Sequence, residues 1–520
     1  MTKKKFYITT SIAYTNALPH AGFSLELIQA DVMARYHRLL GKDVFFLTGT
    51  DEHGAKVAKA AKEENKNPKE FCDEISAKFK ALKKILNLSN DDFIRTTDQK
   101  RHWPAVKKAW LKLKENGDIY KKQYKGLYCS GCEAFITRKD LIDGKCAIHK
   151  REPEIIKEEN YFFRLSKYSK EIEKIIGKDK IKIIPKSRKN EILNFIKQGL
   201  DDISFSRPRK DLKWGISVPN DENQTIYVWG EALLNYISAL GYAENSERFK
   251  KFWPVDVHCV GKDILKFHGA IWPGMLLSLG LELPKTIFVH GFITVGGQKM
   301  SKSLGNIVDP FELVKKYGTD PVRYFLLREI PSVEDGDFTY KKFEQRYNSD
   351  LASGLGNLVA RVITLAERLK IKNQKLKTQI KNFTPLDNFI SNGASKIKIE
   401  IDKTRKECHC LLNEFKFNEA LAVIWELISF CDQYIENERP WEKSKKQPSV
   451  IYDLLVALAN IASMLQPFLP ETAKEIFNQL GIKSIDEKRG FKIYPPKSRS
   501  LLRRGWTWRV KKGKSLFPRI

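Results

Sequence analysis

A pair of cations stands out in the loop Lys299–Ser303, whose residue types and spacing suit phosphate chemistry. Lys299 and Lys302 are separated by Met300 and Ser301, so a short loop brings two ammonium groups together. Such a pair can stabilise a pyrophosphate leaving group, because it meets the negative charge that develops as the phosphate bond breaks. A solvated basic loop is the alternative, and this loop alone does not decide between them.

A second motif, Pro19–Phe23, lies where a strand pattern turns into a helix pattern. The first N–H groups of a helix lack intrahelical partners and lie at the positive end of its dipole, which suits a triphosphate. His20 can donate a hydrogen bond to a phosphate, and Gly22 lets a nucleotide approach the backbone closely. Most His-x-Gly triplets are ordinary turns, so this motif depends for its weight on the loop Lys299–Ser303, about 280 residues later.

Four metal-binding residue types form two short pairs, Cys129 with Cys132 and Cys146 with His149. Two residues separate the members of each pair, and this spacing fits tetrahedral zinc. Because four protein ligands leave no open coordination position, we predict one structural zinc ion per chain. Unpaired cysteines in a loop are the alternative.

The elements that must position these residues begin with an α/β pattern. Phe6–Thr10 and Val44–Leu47 are typical of strands, and the apolar period of Leu25–Leu39 between them is typical of a helix. The right-handed crossover of such a unit predicts a parallel sheet. The polar run Thr48–Gly54 then lies at the carboxyl end of a strand, where open α/β sheets bind ligands.

The later pattern falls into three parts. Residues 120–215 interrupt the alternation with a cysteine-bearing insertion, and from about residue 340 to Leu480 the pattern is almost wholly helical. Between these parts we predict the strands Thr225–Trp229, Val255–Val260 and Thr286–Thr294.

The composition describes a globular protein that suits a polyanion. A chain of 520 residues with 42% hydrophobic residues predicts three or four domains, and its net charge of +29 suits binding to phosphates. A lysine-rich, solvated surface would give the same charge. We predict a cytoplasmic protein with no membrane partner, because no apolar stretch reads as a membrane span or signal peptide and eight cysteines are too few for a disulfide scaffold.

The two phosphate motifs resemble those of class I aminoacyl-tRNA synthetases, whose signatures are His-Ile-Gly-His and Lys-Met-Ser-Lys-Ser. Stretches throughout the chain are similar to methionyl-tRNA synthetases of the bacterial type with a single zinc site: SIAYTN at 11–16, TGTDEHG at 48–54, YVWGEALLNY at 227–236, VGKDILKFH at 260–268 and VHGFITVGGQKMSKS at 289–303. The resemblance covers essentially the whole chain. It implies a methionine–tRNA ligase that forms methionyl-adenylate from methionine and ATP, with Mg²⁺, and charges tRNA(Met) for translation initiation and elongation.

The resemblance also implies residue roles. Asp51 binds the substrate ammonium, and Ile12 and Tyr236 flank the thioether sulfur. An apolar, aromatic slot with one carboxylate suits a zwitterion that carries a soft, unbranched side chain. The rest of the methionine pocket comprises Tyr14, Trp229, Ala232, Leu233 and His268. The ATP site comprises His20, Gly22, Phe23, Gly261, Lys299, Met300, Ser301, Lys302 and Ser303, of which His20, Lys299 and Lys302 are catalytic.

The fold implied is α/β: a Rossmann-type parallel-sheet catalytic domain split by a zinc-bearing insertion, followed by an all-α anticodon-binding bundle. Asn357, Arg361 and Trp441 match anticodon-reading positions, and unstacked bases need such a stacking plane and hydrogen-bond donors. With no tRNA-binding domain appended after Ile520, we expect a monomer. The predicted boundaries are 1–118 and 216–298 for the catalytic halves, 119–215 for the insertion, 299–340 for the signature loop and stem-contact region, and 341–520 for the helical domain with its tail.

Two departures from the family pattern leave alternatives open. Phe23 stands in place of the second signature histidine and cannot donate a hydrogen bond to ATP, and Glu231 replaces the usual aspartate. With the basic charge, Phe23 favours a non-catalytic, zinc-stabilised tRNA-binding protein. This reading is opposed by four intact residues, His20, Asp51, Lys299 and Lys302. A class I synthetase for another amino acid is opposed by the methionine pocket and by an insertion too short for an editing domain.

Overall fold

The structure is a computed structural model that describes residues 4–131, 134–136, 141–148, 150–300, 305–372, 396–442, 447–482 and 510–520. In chain order, its elements up to residue 215 are β1 (Lys5–Tyr14), α1 (Ala21–Leu39), β2 (Asp43–Asp51), α2 (Ala55–Glu63), α3 (Pro68–Ile85), β3 (Asp92–Arg95), α4 (His102–Glu115), β4 (Ile119–Cys129), β5 (Ala134–Ile136), β6 (Leu141–Ile142), β7 (Lys145–Cys146), β8 (Glu154–Phe163), α5 (Ser169–Gly177), β9 (Lys182–Ile184), α6 (Lys186–Lys197), β10 (Ile203–Ser204) and β11 (Ser206–Pro208).

The second part of the chain completes the parallel sheet and then becomes helical. Its elements are β12 (Ser217–Val218), β13 (Asp221–Ile226), α7 (Val228–Ala232), α8 (Asn235–Ser238), α9 (Glu247–Phe252), β14 (Val257–Gly261), α10 (Trp272–Leu279), β15 (Thr286–His290), β16 (Ile293–Val295), β17 (Gln298–Lys299), α11 (Pro310–Tyr317), α12 (Thr319–Arg328), β18 (Gly336–Phe338), α13 (Tyr340–Arg346), α14 (Asn357–Lys372), α15 (Lys396–Asn413), α16 (Phe417–Glu438), α17 (Gln447–Leu465) and α18 (Pro470–Leu480).

The central sheet has six parallel strands in the order β3-β2-β1-β14-β15-β9. Its inner strands are apolar on both faces, as a parallel sheet covered on both sides requires; all of Val44–Asp51 is buried. The strand order reverses between β1 and β14, so the crevice at their carboxyl ends is the expected ligand site. The predicted α/β fold with a parallel sheet is confirmed.

Two strand predictions need correction. The predicted strand Thr225–Trp229 ends at Ile226, lies in an antiparallel sheet with β11 and β12, and gives way to α7 at Val228. A short apolar run does not distinguish a strand from a buried helical turn, and this explains the error. The predicted strand Thr286–Thr294 is two strands in different sheets, because Gly291 passes so close to Glu334 that a Cβ would lie 2.1 Å from the Glu334 carbonyl oxygen.

The predicted insertion, residues 119–215, forms a sheet of its own and also adds one strand to the central sheet. Strands β10, β8, β4 and β5 form a separate four-stranded sheet, but β9 pairs in parallel with β15 at the edge of the central sheet. Residues 182–184, within the segment 119–215, are therefore part of the central sheet. The domain boundaries as a whole stay a prediction.

The helical part packs against the α/β part through a buried arginine. Arg323 on α12 is fully buried, pairs with Asp31 of α1 at 2.8 Å, and donates hydrogen bonds to the carbonyl oxygens of Leu86, Pro467 and Phe468. A buried guanidinium needs such a complete set of acceptors. Arg323 therefore fixes α1 relative to the loop that precedes α18.

Among the described residues, one helix has the length and composition of a membrane span. This helix, Gln447–Leu465, has 72% of its most apolar window buried inside the protein. Core helices of globular proteins share that pattern, so this helix is weak evidence for a membrane.

Candidate active site

The predicted site residues meet in one cleft of 1490 Å³ at the carboxyl ends of the central strands. It opens at the point where the strand order reverses, between β1 and β14. Ser301, Lys302 and Ser303 lie outside the described residues. All other predicted methionine and ATP residues line the cleft: Ile12, Tyr14, His20, Gly22, Phe23, Asp51, Trp229, Ala232, Leu233, Tyr236, Gly261, His268, Lys299 and Met300.

His20 is the N-cap of α1. Its Nδ1 accepts a hydrogen bond from the Gly22 N–H at 3.1 Å. Burial, and then the charge of Lys299, lower the pKa of His20, so the imidazole is neutral at pH 7. Because Nδ1 is an acceptor, the ring proton is on Nε2, which can donate to a phosphate. The helix start thus presents one imidazole donor to the cleft, while its first backbone N–H groups are already engaged: the Ala21 N–H donates to the Val308 carbonyl at 3.0 Å, as the Gly22 N–H does to His20.

Gly22 is required for this geometry. A Cβ at Gly22 would lie 2.9 Å from Cε1 of His20, and the imidazole would have to move. The sequence predicted that a nucleotide approaches the Gly22 backbone closely. In the structure, the group that lies against Gly22 is the His20 ring.

Phe23 faces the same cleft but belongs partly to the core. Its ring packs edge-on against Phe79, with centroids 5.3 Å apart and planes at 85°. This is a favourable aromatic geometry. Phe23 therefore presents an apolar face to the cleft where the family signature has a hydrogen-bond donor.

Tyr236 and His268 form a neutral hydrogen-bonded pair in the wall of the cleft. Burial lowers the pKa of His268 to about 4, and the Tyr236 hydroxyl lies 2.7 Å from His268 Nε2. His268 Nδ1 lies 3.1 Å from the Ile264 carbonyl oxygen, so Nδ1 donates and Nε2 accepts. Nearby, Trp229 stacks on Phe267 with centroids 3.7 Å apart. This wall suits an apolar side chain.

Asp51 provides a carboxylate at the end of β2. Its backbone oxygen accepts hydrogen bonds from the Thr15 N–H at 2.9 Å and the Thr15 hydroxyl at 3.2 Å. The adjacent Glu52 is buried and bound by both the Nε and Nη2 atoms of Arg95, at 2.7 and 2.8 Å. The charge of Glu52 is therefore balanced by Arg95, and the Asp51 carboxylate lines the cleft.

A buried pair that the sequence analysis did not identify, Glu26 and His290, also lines the cleft. Glu26 Oε2 lies 2.8 Å from His290 Nε2, and Glu26 Oε1 accepts hydrogen bonds from the Ser11 N–H and hydroxyl. Burial alone would lower the pKa of His290, but the hydrogen bond and charge of Glu26 outweigh it and raise that pKa. The pair fixes the ends of β1 and β15. In the sequence, the feature that points to this pair is Glu26, a carboxylate among the apolar residues of α1.

Glu231, the second departure from the family pattern, lies buried between two histidines. Its Oε1 atom is 2.7 Å from His53 Nδ1, and its Oε2 atom is 3.5 Å from His102 Nε2. Burial would raise the pKa of Glu231, but His53 and His102 together hold it below its usual value. Because His53 follows Asp51 by two residues and Glu231 follows Trp229 by two, this contact joins two walls of the cleft.

Glu231→Gln is expected to raise KM for methionine about 10-fold, the effect of losing a charged hydrogen bond of ~1.5 kcal/mol. The variant keeps the length of the side chain but removes the charge that holds His53. The measurement is methionine-dependent pyrophosphate exchange, with KM for ATP expected to be unchanged. Glu231→Asp keeps the charge and should cost less, and exposed Glu222→Gln serves as control; equal effects at both positions would refute the role of Glu231.

Only two of the four predicted zinc ligands, the set called here the cysteine knuckle, lie within the described residues. Cys129 and Cys146 are buried in one small cluster with Ile136. The Cys146 N–H donates to the Arg151 carbonyl at 2.8 Å, and Lys150 N–H donates to the Cys146 carbonyl at 2.8 Å, which makes a tight turn. Cys132 and His149 lie outside the described residues, among which no group of three metal-binding side chains occurs. The two placed cysteines fit one half of a zinc site.

The predicted anticodon residues lie on the helical part. Asn357 and Arg361 are one turn apart on α14, and Arg361 pairs with Asp432 at 3.4 Å and Glu436 at 2.5 Å. Trp441 follows shortly after α16 and is 46% exposed. An exposed indole suits base stacking.

Known protein families match this chain over most of its length. The family model for class I tRNA synthetases (M) matches residues 6–139 and 132–363, and the model for the anticodon-binding domain of tRNA ligase matches residues 395–507. The methionine–tRNA ligase of Caldanaerobacter subterraneus subsp. tengcongensis is 46% identical over 527 residues, 100% of this chain and 79% of the relative. That of Bacillus subtilis is 41% identical over 99% of this chain and 78% of its own length.

A solved structure shows the same fold. The Mycobacterium tuberculosis methionyl-tRNA synthetase in complex with methionyl-adenylate is 35% identical, with a TM-score of 0.85, and the match covers 94% of this chain and 96% of that one.

Proposed function

The chain belongs to the methionyl-tRNA synthetases of class I, and from this premise we propose the role of each residue in its cleft. The protein is a methionine–tRNA ligase that activates methionine with ATP and transfers it to tRNA. The observation that carries the residue assignments is that His20, Asp51 and Lys299 line one cleft at the reversal of strand order.

In the first step, the methionine carboxylate attacks the α-phosphorus of ATP in line, and pyrophosphate leaves. Asp51 holds the substrate ammonium, and the pocket around Tyr236 and Trp229 holds the thioether. His20 Nε2–H and the ammonium groups of Lys299 and Lys302 stabilise the charge that develops on the phosphates. Mg²⁺ bound to ATP supplies further charge neutralisation.

In the second step, a hydroxyl of the tRNA 3′-terminal ribose attacks the acyl carbon of the adenylate, and AMP leaves. Neither step needs a covalent nucleophile from the protein. The chain's contribution is therefore position and charge.

The helical part reads the anticodon, with Trp441 stacking on a base and Asn357 and Arg361 providing hydrogen-bond donors. Trp441→Ala is expected to reduce kcat/KM for tRNA(Met) about 5- to 150-fold, from the loss of ~1–3 kcal/mol of stacking per base. Methionine-dependent pyrophosphate exchange should be unchanged. Exposed Leu111→Ala, on α4, is a control outside the predicted tRNA contacts; a loss of exchange equal to the loss of charging would contradict an anticodon role.

A structural zinc ion bound by Cys129, Cys132, Cys146 and His149 is supported by the burial of Cys129 and Cys146 in one cluster. Elemental analysis should find one zinc per chain. Cys129→Ser is expected to lower zinc occupancy and the melting temperature of the insertion, because metal binding contributes directly to folding. Buried Cys431→Ser, outside the knuckle, should keep full zinc occupancy. Equal zinc content in both variants would refute this site.

We place the protein in the cytoplasm, where its tRNA substrate is found, and expect it to be a monomer. Its 92 Lys and Arg residues against 63 Asp and Glu support a polyanionic partner. Light scattering coupled to size-exclusion chromatography decides the oligomeric state.

A further inference from the structure

The ring of Phe292 lies beside two lysine ammonium groups. Lys299 Nζ is 5.0 Å from the ring centroid and Lys262 Nζ is 4.5 Å from it. Both distances fall within cation–π range. Lys262 is also paired with both carboxylate oxygens of Asp335, each at 2.7 Å. Among the residues that the structure describes, no carboxylate forms an ion pair with Lys299, so the ring is its electrostatic partner.

The backbone holds Phe292 in place independently of its side chain. The Phe292 N–H donates to Asp335 Oδ1 at 2.9 Å, and the Phe292 carbonyl accepts from the Gly336 N–H at 3.0 Å. Lys262 holds the same Asp335 carboxylate. The Phe292 ring therefore projects from a fixed strand start.

The backbone of Lys299 is fixed from the other side. It pairs with Thr294 in the hairpin of β16 and β17, whose turn residues Gly296 and Gly297 have positive φ values of 59° and 75°. Two positive φ angles match the tight turn that glycine favours between antiparallel strands. Asp337 Oδ1 accepts hydrogen bonds from the Gly297 N–H and the Thr294 hydroxyl, both at 2.8 Å. The hairpin thus fixes the Lys299 backbone relative to Phe292, within reach of the ring.

We propose that Phe292 is a positioning residue whose ring holds the Lys299 ammonium at the phosphate side of the cleft before ATP binds. Phe292, Lys299 and His20 all line the cleft, and the positive charge of Lys299 is close enough to His20 to disfavour protonation of that imidazole. A lysine that already faces the phosphates loses less rotamer freedom when ATP arrives. The inference rests on the proposed role of Lys299 in ATP activation.

The test is a double-mutant cycle measured by pyrophosphate exchange. Phe292→Leu, which keeps an apolar side chain without a π face, should lower kcat/KM for ATP about 2- to 5-fold, as expected for an exposed cation–π contact. KM for methionine should not change. Phe292→Trp should restore or exceed the wild-type value, because Trp is the best cation–π partner. In a Lys299→Met background, Phe292→Leu should have no further effect.

The possible failures are distinguishable. Suppose that Lys299→Met lowers exchange strongly. If Phe292→Leu then leaves kcat/KM for ATP unchanged, or lowers it equally in the wild-type and Lys299→Met backgrounds, the positioning role of Phe292 is overturned and the role of Lys299 stands. If Lys299→Met leaves exchange unchanged, the proposed role of Lys299 fails and the inference fails with it. Should Phe292→Leu not fold, Phe292→Trp decides: a value at or above wild type agrees with the proposal, and a loss contradicts it.

Discussion

His20→Ala is expected to slow methionine-dependent pyrophosphate exchange by about 10²–10³-fold, the usual effect of removing one donor that stabilises a transition state. His20 is neutral and carries its proton on Nε2, because Nδ1 accepts from the Gly22 N–H. The variant therefore removes the only imidazole donor at the start of α1. The loss should appear in kcat and leave KM for methionine nearly unchanged.

His20→Gln is the informative companion variant, because its amide retains a hydrogen-bond donor but lacks the shape of imidazole. It should retain more activity than His20→Ala. Melting temperatures of both variants report on helix capping, since His20 is also the N-cap of α1. Exchange by His20→Ala at the wild-type rate would remove His20 from the catalytic site.

Asp51→Asn is expected to reduce kcat/KM for methionine by about 30- to 5000-fold, because truncating one partner of a buried charge pair costs ~2–5 kcal/mol. The substitution keeps the shape of the side chain and removes the charge that meets the substrate ammonium. KM for ATP should change little. Methionine titrations of the exchange reaction measure the effect.

A substrate analogue tests whether Asp51 acts through the ammonium. The deamino analogue of methionine lacks that group, so it should inhibit the wild type weakly and Asp51→Asn equally weakly. If this deamino analogue binds the wild type much more tightly than it binds Asp51→Asn, Asp51 acts on a part of the substrate other than the ammonium group. Glu52→Gln is a useful contrast, because it leaves Arg95 without its full partner and should lower the free energy of unfolding.

The sequence predicted the parts of the site that depend on local pattern. The unit β1–α1–β2 has a strong alternation of periods, and its start at His20 and its end at Asp51 lie in the cleft as expected. Short segments were less predictable. Tyr227–Trp229 is apolar and β-favouring, yet tertiary packing makes Val228 the start of a helix.

Pairs that form only through tertiary structure were not predictable from one sequence. Glu26 and His290 are 264 positions apart; His290 lies in the stretch 289–303 that carries the family resemblance, but nothing in the sequence pairs it with Glu26. Glu231 departs from the family pattern, but the sequence does not show its two histidine partners. His53 lies in the loop after β2, and His102 lies on α4. Such contacts depend on strand order, which local periodicity does not specify.

The most direct test is methionine-dependent ATP–pyrophosphate exchange by the purified chain, with a panel of amino acids and beside Phe23→His. An enzyme that activates methionine should exchange strongly with methionine alone, and Phe23→His should change the rate only modestly, since His20, Asp51 and Lys299 are present in the cleft. Recovery of exchange only in Phe23→His would mean that the ATP signature of this chain is disabled. Silence in both folded proteins, or selectivity for another amino acid, would contradict methionine activation.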